Sequence, residues 1–375
     1  IQLLQGFKGQ VEKDEKGATA LPGRLVFTDV EEYSLKDDLS GEPLDSALVT
    51  LAKREDITEM YRRSVWTEAP DSACFRDTGK PPIPVRWVST NKGDKLHPNV
   101  RCRLVAKHLA AKYWGKELSE DLFAAMRPFE LVKALMVKAV QRRDRKTKVR
   151  KVLFIDASKA HLYAPVGDGI KNYVALPPEC CKPGVCGLLN FWLYGMRPAS
   201  NGWQEEYTRQ LVAMGFKPGE ASPCCFYREK DDVCCVVHGD DFTILGCAES
   251  LDWFQKAIKE RFEVKVRGRI GPEQNDEKKM RILNRIVEWT ADGIQYEADQ
   301  RHADIIIREL GLNKKSKELS APAVKREAVD AETVEYLSAE EATMYRALTA
   351  RGIYLSQDRS DIAYAVKELS RGMSK

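Results

Sequence analysis

The alternation of apolar and polar residues resolves most of the chain beyond residue 84 into strands and helices. Residues 85–88 (Val-Arg-Trp-Val) and 103–106 (Arg-Leu-Val-Ala) read as two strands. Asn91-Lys92-Gly93-Asp94 between them is a turn signal that suits a hairpin. Over 128–141, Leu131, Ala134, Leu135 and Val140 recur at helical spacing behind Pro128, a residue favoured in a first helical turn. Residues 151–155 form a short apolar strand that ends in Asp156. The stripe Trp203, Tyr207, Leu211 and Met214 predicts a helix over 200–214 with Ser200 as its cap. Residues 224–227 and 233–237 make a hairpin-like pair about the polar Glu229-Lys230-Asp231-Asp232. The second strand runs into His238-Gly239-Asp240-Asp241, and 242–245 resume an apolar strand. An amphipathic helix over 250–262 follows, then a strand over 281–289, an Ala291-Asp292-Gly293 turn and a strand at 294–296. Helices are expected at 299–311, 338–357 and 359–371. Strands and helices do not alternate strictly, so the expected class is α+β rather than a doubly wound sheet. Residues 1–60, rich in Gly, Asp and Glu with weak periodicity, read as an uncommitted N-terminal extension.

Composition narrows the class. With 375 residues, 43% hydrophobic and 31% charged, the chain has the make-up of a soluble globular protein with two or three domains. It holds no apolar run of about 18 residues, so no membrane span is expected, and its start carries no signal-peptide pattern. The net charge of +4 conceals an asymmetry: residues 1–60 hold 13 acidic and 7 basic residues, a balance of −6, which leaves +10 on the rest. One basic run stands out, Arg142, Arg143, Arg145, Lys146, Lys148, Arg150 and Lys151. It reads equally as a solvated surface loop or as a contact to a phosphate backbone. The ten cysteines include three adjacent pairs and no C-x-x-C, which is no zinc frame; Cys180 and Cys186 with Cys224 or Cys225 are a remote metal-binding alternative. Thiols in a reducing compartment are expected, and hence an intracellular location, cytoplasmic or nuclear.

The candidate chemistry lies in three carboxylates. Asp240 and Asp241 stand side by side behind Gly239 at the tip of an apolar hairpin. Gly-Asp-Asp is ordinary turn chemistry and is fully accounted for as such. Asp156 also ends an apolar strand, and pairing of its strand with the one after Asp241 brings three carboxylates to one sheet edge. Adjacent carboxylates repel and call for a compensating cation or a solvated turn. Mg²⁺ takes oxygen ligands from one or two carboxylates plus substrate phosphates, and two such ions serve in-line phosphoryl transfer.

The order of the segments resembles the reverse transcriptase of copia-type LTR retrotransposons, from about residue 84 to the C-terminus. Arg86-Trp87-Val88 and Arg101-Cys102-Arg103-Leu104-Val105-Ala106-Lys107 are similar to the family's Arg-Trp-Val and Lys-Ala-Arg-Leu-Val-Ala-Lys block. Leu122-Phe123-Ala124 resembles its Thr-Phe-Ala segment, and Ile155-Asp156-Ala157-Ser158-Lys159-Ala160 the strand with the first aspartate. Leu176-Pro177-Pro178, Leu193-Tyr194-Gly195-Met196-Arg197-Pro198-Ala199, Met214-Gly215-Phe216 and Ser222-Pro223-Cys224 follow in the family's order. His238-Gly239-Asp240-Asp241 falls on the Tyr-Val-Asp-Asp turn, and Tyr345-Arg346-Ala347-Leu348 with 359–366 resembles the block ahead of ribonuclease H.

The resemblance implies a right-hand polymerase with fingers, a palm with an antiparallel sheet, and a helical thumb. The implied division is 1–83 as extension, 84–272 as fingers and palm, and 273–375 as thumb and connection, without ribonuclease H. Asp156, Asp240 and Asp241 are the implied catalytic ligands of two Mg²⁺, with Mn²⁺ as a substitute. Arg101, Arg103, Lys107, His161 and Arg197 are implied nucleotide contacts, and His238, Gly239 and Asn284 are implied to position the primer. The implied partners are an RNA or DNA template with primer and deoxynucleoside triphosphates, with no membrane. Three departures stand out: His238-Gly239 in place of Tyr-Val, His161 where an aromatic excludes the ribose 2′-hydroxyl, and Asn284 where the family favours Gly. They keep a catalytically decayed copy open as an alternative, beside a carboxylate-site nuclease. Copia-type polyproteins place an integrase before this module and ribonuclease H after it, so Ile1 and Lys375 are expected to be cut ends.

Overall fold

The structure, a computed structural model, describes residues 35–108, 129–141, 148–167, 169–317, 321 and 337–374. The Leu122-Phe123-Ala124 segment, Pro128 and the basic residues Arg142, Arg143, Arg145 and Lys146 lie outside the described residues. In chain order the elements begin with α1 (Ser46–Arg62), β1 (Trp66–Pro70), α2 (Asp71–Thr78), β2 (Val85–Asn91), β3 (Val100–Ala106), α3 (Phe129–Val140) and β4 (Lys151–Ala157). Next come β5 (Tyr173–Ala175), β6 (Val185–Leu189), α4 (Ala199–Ala213), β7 (Lys217–Pro218), β8 (Cys225–Arg228), β9 (Val233–His238) and β10 (Asp241–Gly246). The rest are α5 (Ala248–Lys259), β11 (Val264–Ile270), β12 (Lys279–Ile282), β13 (Arg285–Thr290), β14 (Gly293–Glu297), α6 (Gln300–Glu309), α7 (Ala339–Ser356) and α8 (Ala363–Ser370). This is a mixed α/β fold of several sheets. It falls into two compact units, one from residues 1–126 and 157–215, the other from 127–156 and 216–375.

In the first unit the β2–β3 hairpin pairs Val88 with Arg103 and Trp87 with Leu104. Its inward face carries Trp87, Cys102, Leu104 and Ala106, and Val49 and Ala52 of α1 pack on Trp87 and Cys102. The α1 helix corrects the reading of 1–60 as uncommitted. Val49, Ala52, Asp56, Ile57 and Met60 are buried at helical spacing, and Asp45 caps the helix by accepting from the Leu48 N–H at 2.9 Å. The stripe is hard to see because it includes a carboxylate: Asp56 accepts from the Leu104 N–H at 3.0 Å. Ahead of α1, Asp38 accepts from the Ser89 N–H at 2.7 Å, so part of the acidic extension is tied to β2. A three-stranded antiparallel sheet of order β1-β6-β5 with helices α2 and α4 completes the unit. Ser200 lies inside α4 rather than capping it; Pro198 holds the N-cap position without a side-chain bond.

The second unit is built on a six-stranded sheet of order β11-β4-β10-β9-β8-β7. Helix α3 places Val132, Leu135, Met136 and Ala139 on Val152, Phe154, Cys234, Val236 and Leu245. Leu153, Ile155, Phe242 and Ile244, which alternate to the opposite face, are buried as well. Burial on both faces is why these strands read as continuous apolar runs. The predicted strand 281–289 is instead two strands, β12 and β13, joined at Leu283-Asn284, where both residues have positive φ (46° and 66°).

Candidate metal centre

β4 and β10 pair antiparallel with Ile155 opposite Phe242 and Asp156 opposite Asp241. β9 and β10 pair with His238 opposite Asp241, leaving Gly239 and Asp240 as a two-residue turn. Gly239 takes φ +59°, the left-handed region such a turn requires and glycine supplies freely. Two apolar strands thus end at one sheet edge in carboxylates, and one oxygen from each of Asp156, Asp240 and Asp241 lies within 4.8 Å of the others. Asp156 and Asp241 are half-buried and Asp240 is exposed. Such a set of hard oxygen donors, open on one side, can coordinate a divalent cation. Among the described residues it is the single group of three or more His, Cys, Asp or Glu side chains this close together.

The cysteine alternative is not supported. All ten thiols are free, burial pushes Cys180 up to about 11 and Cys186 up to about 12, and among the described residues no cysteine joins a group close enough to share an ion. Two of the three described cations of the basic run are taken up in buried ion pairs. Arg150 is buried in an ion pair with Asp232, and Lys151 is buried between Glu273 and Asp276, each at 2.6 Å. Lys148 is exposed and faces Glu249 at 3.3 Å.

Residues 76–272, more than half of the chain, match the family described as reverse transcriptase (RNA-dependent DNA polymerase). The chain belongs to the reverse transcriptase family. Asp156, Asp240 and Asp241 all fall within the region matched to the reverse transcriptases, as do the candidate nucleotide contacts. On β3, Arg101 and Arg103 are exposed on the face turned away from α1, and Lys107 is exposed just beyond the strand. The Arg103 guanidinium lies over the Tyr194 ring at 5.4 Å, and the His161 ring packs on the same tyrosine at 4.7 Å. Burial, and then the charge of Arg103, pulls the pKa of His161 down to about 4. Gly195, beside Tyr194, cannot carry a side chain: φ is +81° and a Cβ would meet the Ala106 carbonyl oxygen at 2.3 Å. The Ala106 N–H donates to the Tyr194 carbonyl at 2.7 Å, which docks this turn on the end of β3. Arg197 acts on His108, whose pKa is lowered by burial and by that charge.

Two residues escape the sequence reading. Tyr194 joins Arg103 and His161, and Arg267 on β11 reaches Asp156 at 3.1 Å. Tyr194 stands in a quoted motif; for Arg267 no sequence signal exists, since its role depends on β11 lying beside β4.

Proposed function

We propose that this chain is an RNA-directed DNA polymerase of a copia-like retrotransposon, adding deoxynucleotides to a primer 3′-hydroxyl on an RNA or DNA template. The observation that carries the reading is the β4–β10 register, which sets Asp156 against Asp241 in a chain of the reverse transcriptase family. Asp156, Asp240 and Asp241 would hold two Mg²⁺, or Mn²⁺ in its place. Divalent ions bound there supply a more acidic attacking hydroxyl and charge balance for the leaving oxygen. The sheet, buried on both faces, holds the carboxylates in fixed geometry, which favours an aligned attack. Arg101, Arg103 and Lys107 neutralise the incoming triphosphate, and Arg197 shapes its pocket. His161, neutral and packed on Tyr194, is assigned to the sugar. The turns bearing His238, Gly239 and Asn284 support the primer end. Residues 84–272 are assigned to fingers and palm and 273–375 to thumb and connection, with α1 from the preceding segment bracing the β2–β3 hairpin. Ten free thiols suit an intracellular setting, and among the described residues no helix is long and apolar enough to cross a membrane.

Primer extension on a primed RNA template with Mg²⁺ or Mn²⁺ tests the reading. The wild type is expected to incorporate nucleotide, and Asp240→Asn to lose about a thousandfold or more of that rate, roughly 4 kcal/mol of transition-state stabilisation. A wild-type chain that incorporates nothing removes the active enzyme. Binding of the duplex without extension supports instead a decayed copy, the reading favoured by His161 and Gly239 at positions where the family carries other residues.

A further inference from the structure

Arg267 sits on β11, the edge strand beside β4. Its guanidinium lies 3.1 Å from Asp156 Oδ1; the Arg267 side chain is 50% exposed and that of Asp156 22%. Asp156 is one of the three carboxylates whose oxygens crowd within 4.8 Å. Charges of one sign at that separation repel, and a cation on any one of them relieves the others. A guanidinium and a divalent ion therefore seek the same carboxylate. The guanidinium is a planar donor on a long stem, able to leave; a divalent ion carries twice the charge and bonds several oxygens together.

We propose that Arg267 is a resident counter-ion that competes with divalent cations for Asp156 and so sets the cation concentration at which the three carboxylates fill. The inference rests on the reading of Asp156, Asp240 and Asp241 as a divalent-cation site. Cation entry moves the guanidinium off Oδ1, which costs little because an ion pair this exposed is weak.

Direct Mn²⁺ binding to the full chain, followed by the paramagnetic resonance of the free ion, tests this without catalysis. Arg267→Gln is expected to bind Mn²⁺ about two- to fivefold more tightly than wild type, the range that loss of a half-exposed ion pair allows. Arg267→Lys should stay near wild type, and Asp156→Asn should lose the tight binding. Arg267→Ala repeats the measurement with a second side chain, and unchanged melting temperatures establish that the fold is intact. Mn²⁺ affinity in Arg267→Gln and Arg267→Ala equal to or below that of wild type overturns the proposal. So does an absence of Mn²⁺ binding in every variant. Primer extension read in parallel separates the two ideas. Tighter Mn²⁺ binding by Arg267→Gln with no extension by any protein supports the counter-ion and removes the polymerase; extension with unchanged Mn²⁺ affinity does the reverse.

Discussion

His161 is a neutral imidazole at physiological pH, held so by burial and by Arg103, with its Nδ1 lacking a hydrogen-bond partner among the described residues. In the unfolded chain it regains a value near 6.5. Between that value and about 4 the unfolded state binds the extra proton, so stability falls as pH falls through this window. The stabilisation is complete above the unfolded value and is lost toward the folded one, at most about 3 kcal/mol in all. Melting temperature should thus drop more steeply between pH 7 and pH 4.5 for wild type than for His161→Phe; parallel curves would rule the histidine out as the titrating group. The three aspartates were legible because each follows an apolar run, and a carboxylate placed there has no packing role. Arg267 was illegible because nothing local to it differs from Lys265 or Arg269 on the same strand. Its neighbour Asp156 is brought by non-local pairing.

The β12–β13 hairpin carries more than its length suggests. Its turn places Leu283 and Asn284 at positive φ; Asn tolerates that region, and Leu does not. The turn delivers Arg285, 1% exposed, to Asp358 at 2.7 Å and to the Tyr354 hydroxyl at 2.6 Å, beyond the end and on the last turn of α7. Lys133 on α3 reaches the same aspartate at 3.1 Å. One buried carboxylate, 2% exposed, therefore ties a hairpin, the α7 end and α3. Asp358→Asn leaves the guanidinium in place without its counter-charge and is expected to cost about 3–5 kcal/mol in denaturant unfolding. A cost below about 1 kcal/mol would mean that water reaches the pair. The strand at 281–289 looked continuous because its turn holds no Gly or Pro, the usual punctuation. Helix α1 was hidden for the converse reason: its stripe contains Asp56, whose polar partner lies on β3. The strands of the central sheet were plain, since burial on both faces leaves no polar position to blur them.

Charge and chain path belong to the whole molecule. The balance of +10 on residues 61–375 predicts that binding to a primed duplex weakens with salt, log affinity falling against log salt in proportion to the phosphates neutralised. Lys151 has no share in that slope, because its ammonium is enclosed by Glu273 and Asp276. Lys151→Gln should lower the melting temperature and leave the slope unchanged; a slope shallower by about one unit would put the residue on a phosphate instead. Each compact unit is assembled from two stretches of chain, and this bears on how the protein is made. Both sheet neighbours of β4 are encoded after it, and Asp241 is translated 85 residues later than Asp156. At roughly 5–20 residues per second, the ribosome needs about 4–17 s to supply the partner strand. Until then Val152, Leu153, Phe154 and Ile155, each at most 4% exposed in the finished fold, have no sheet to enter. Helix α3, made earlier, can cover Val152 and Phe154; a message broken before Gly246 leaves all four without the strand that pairs with them.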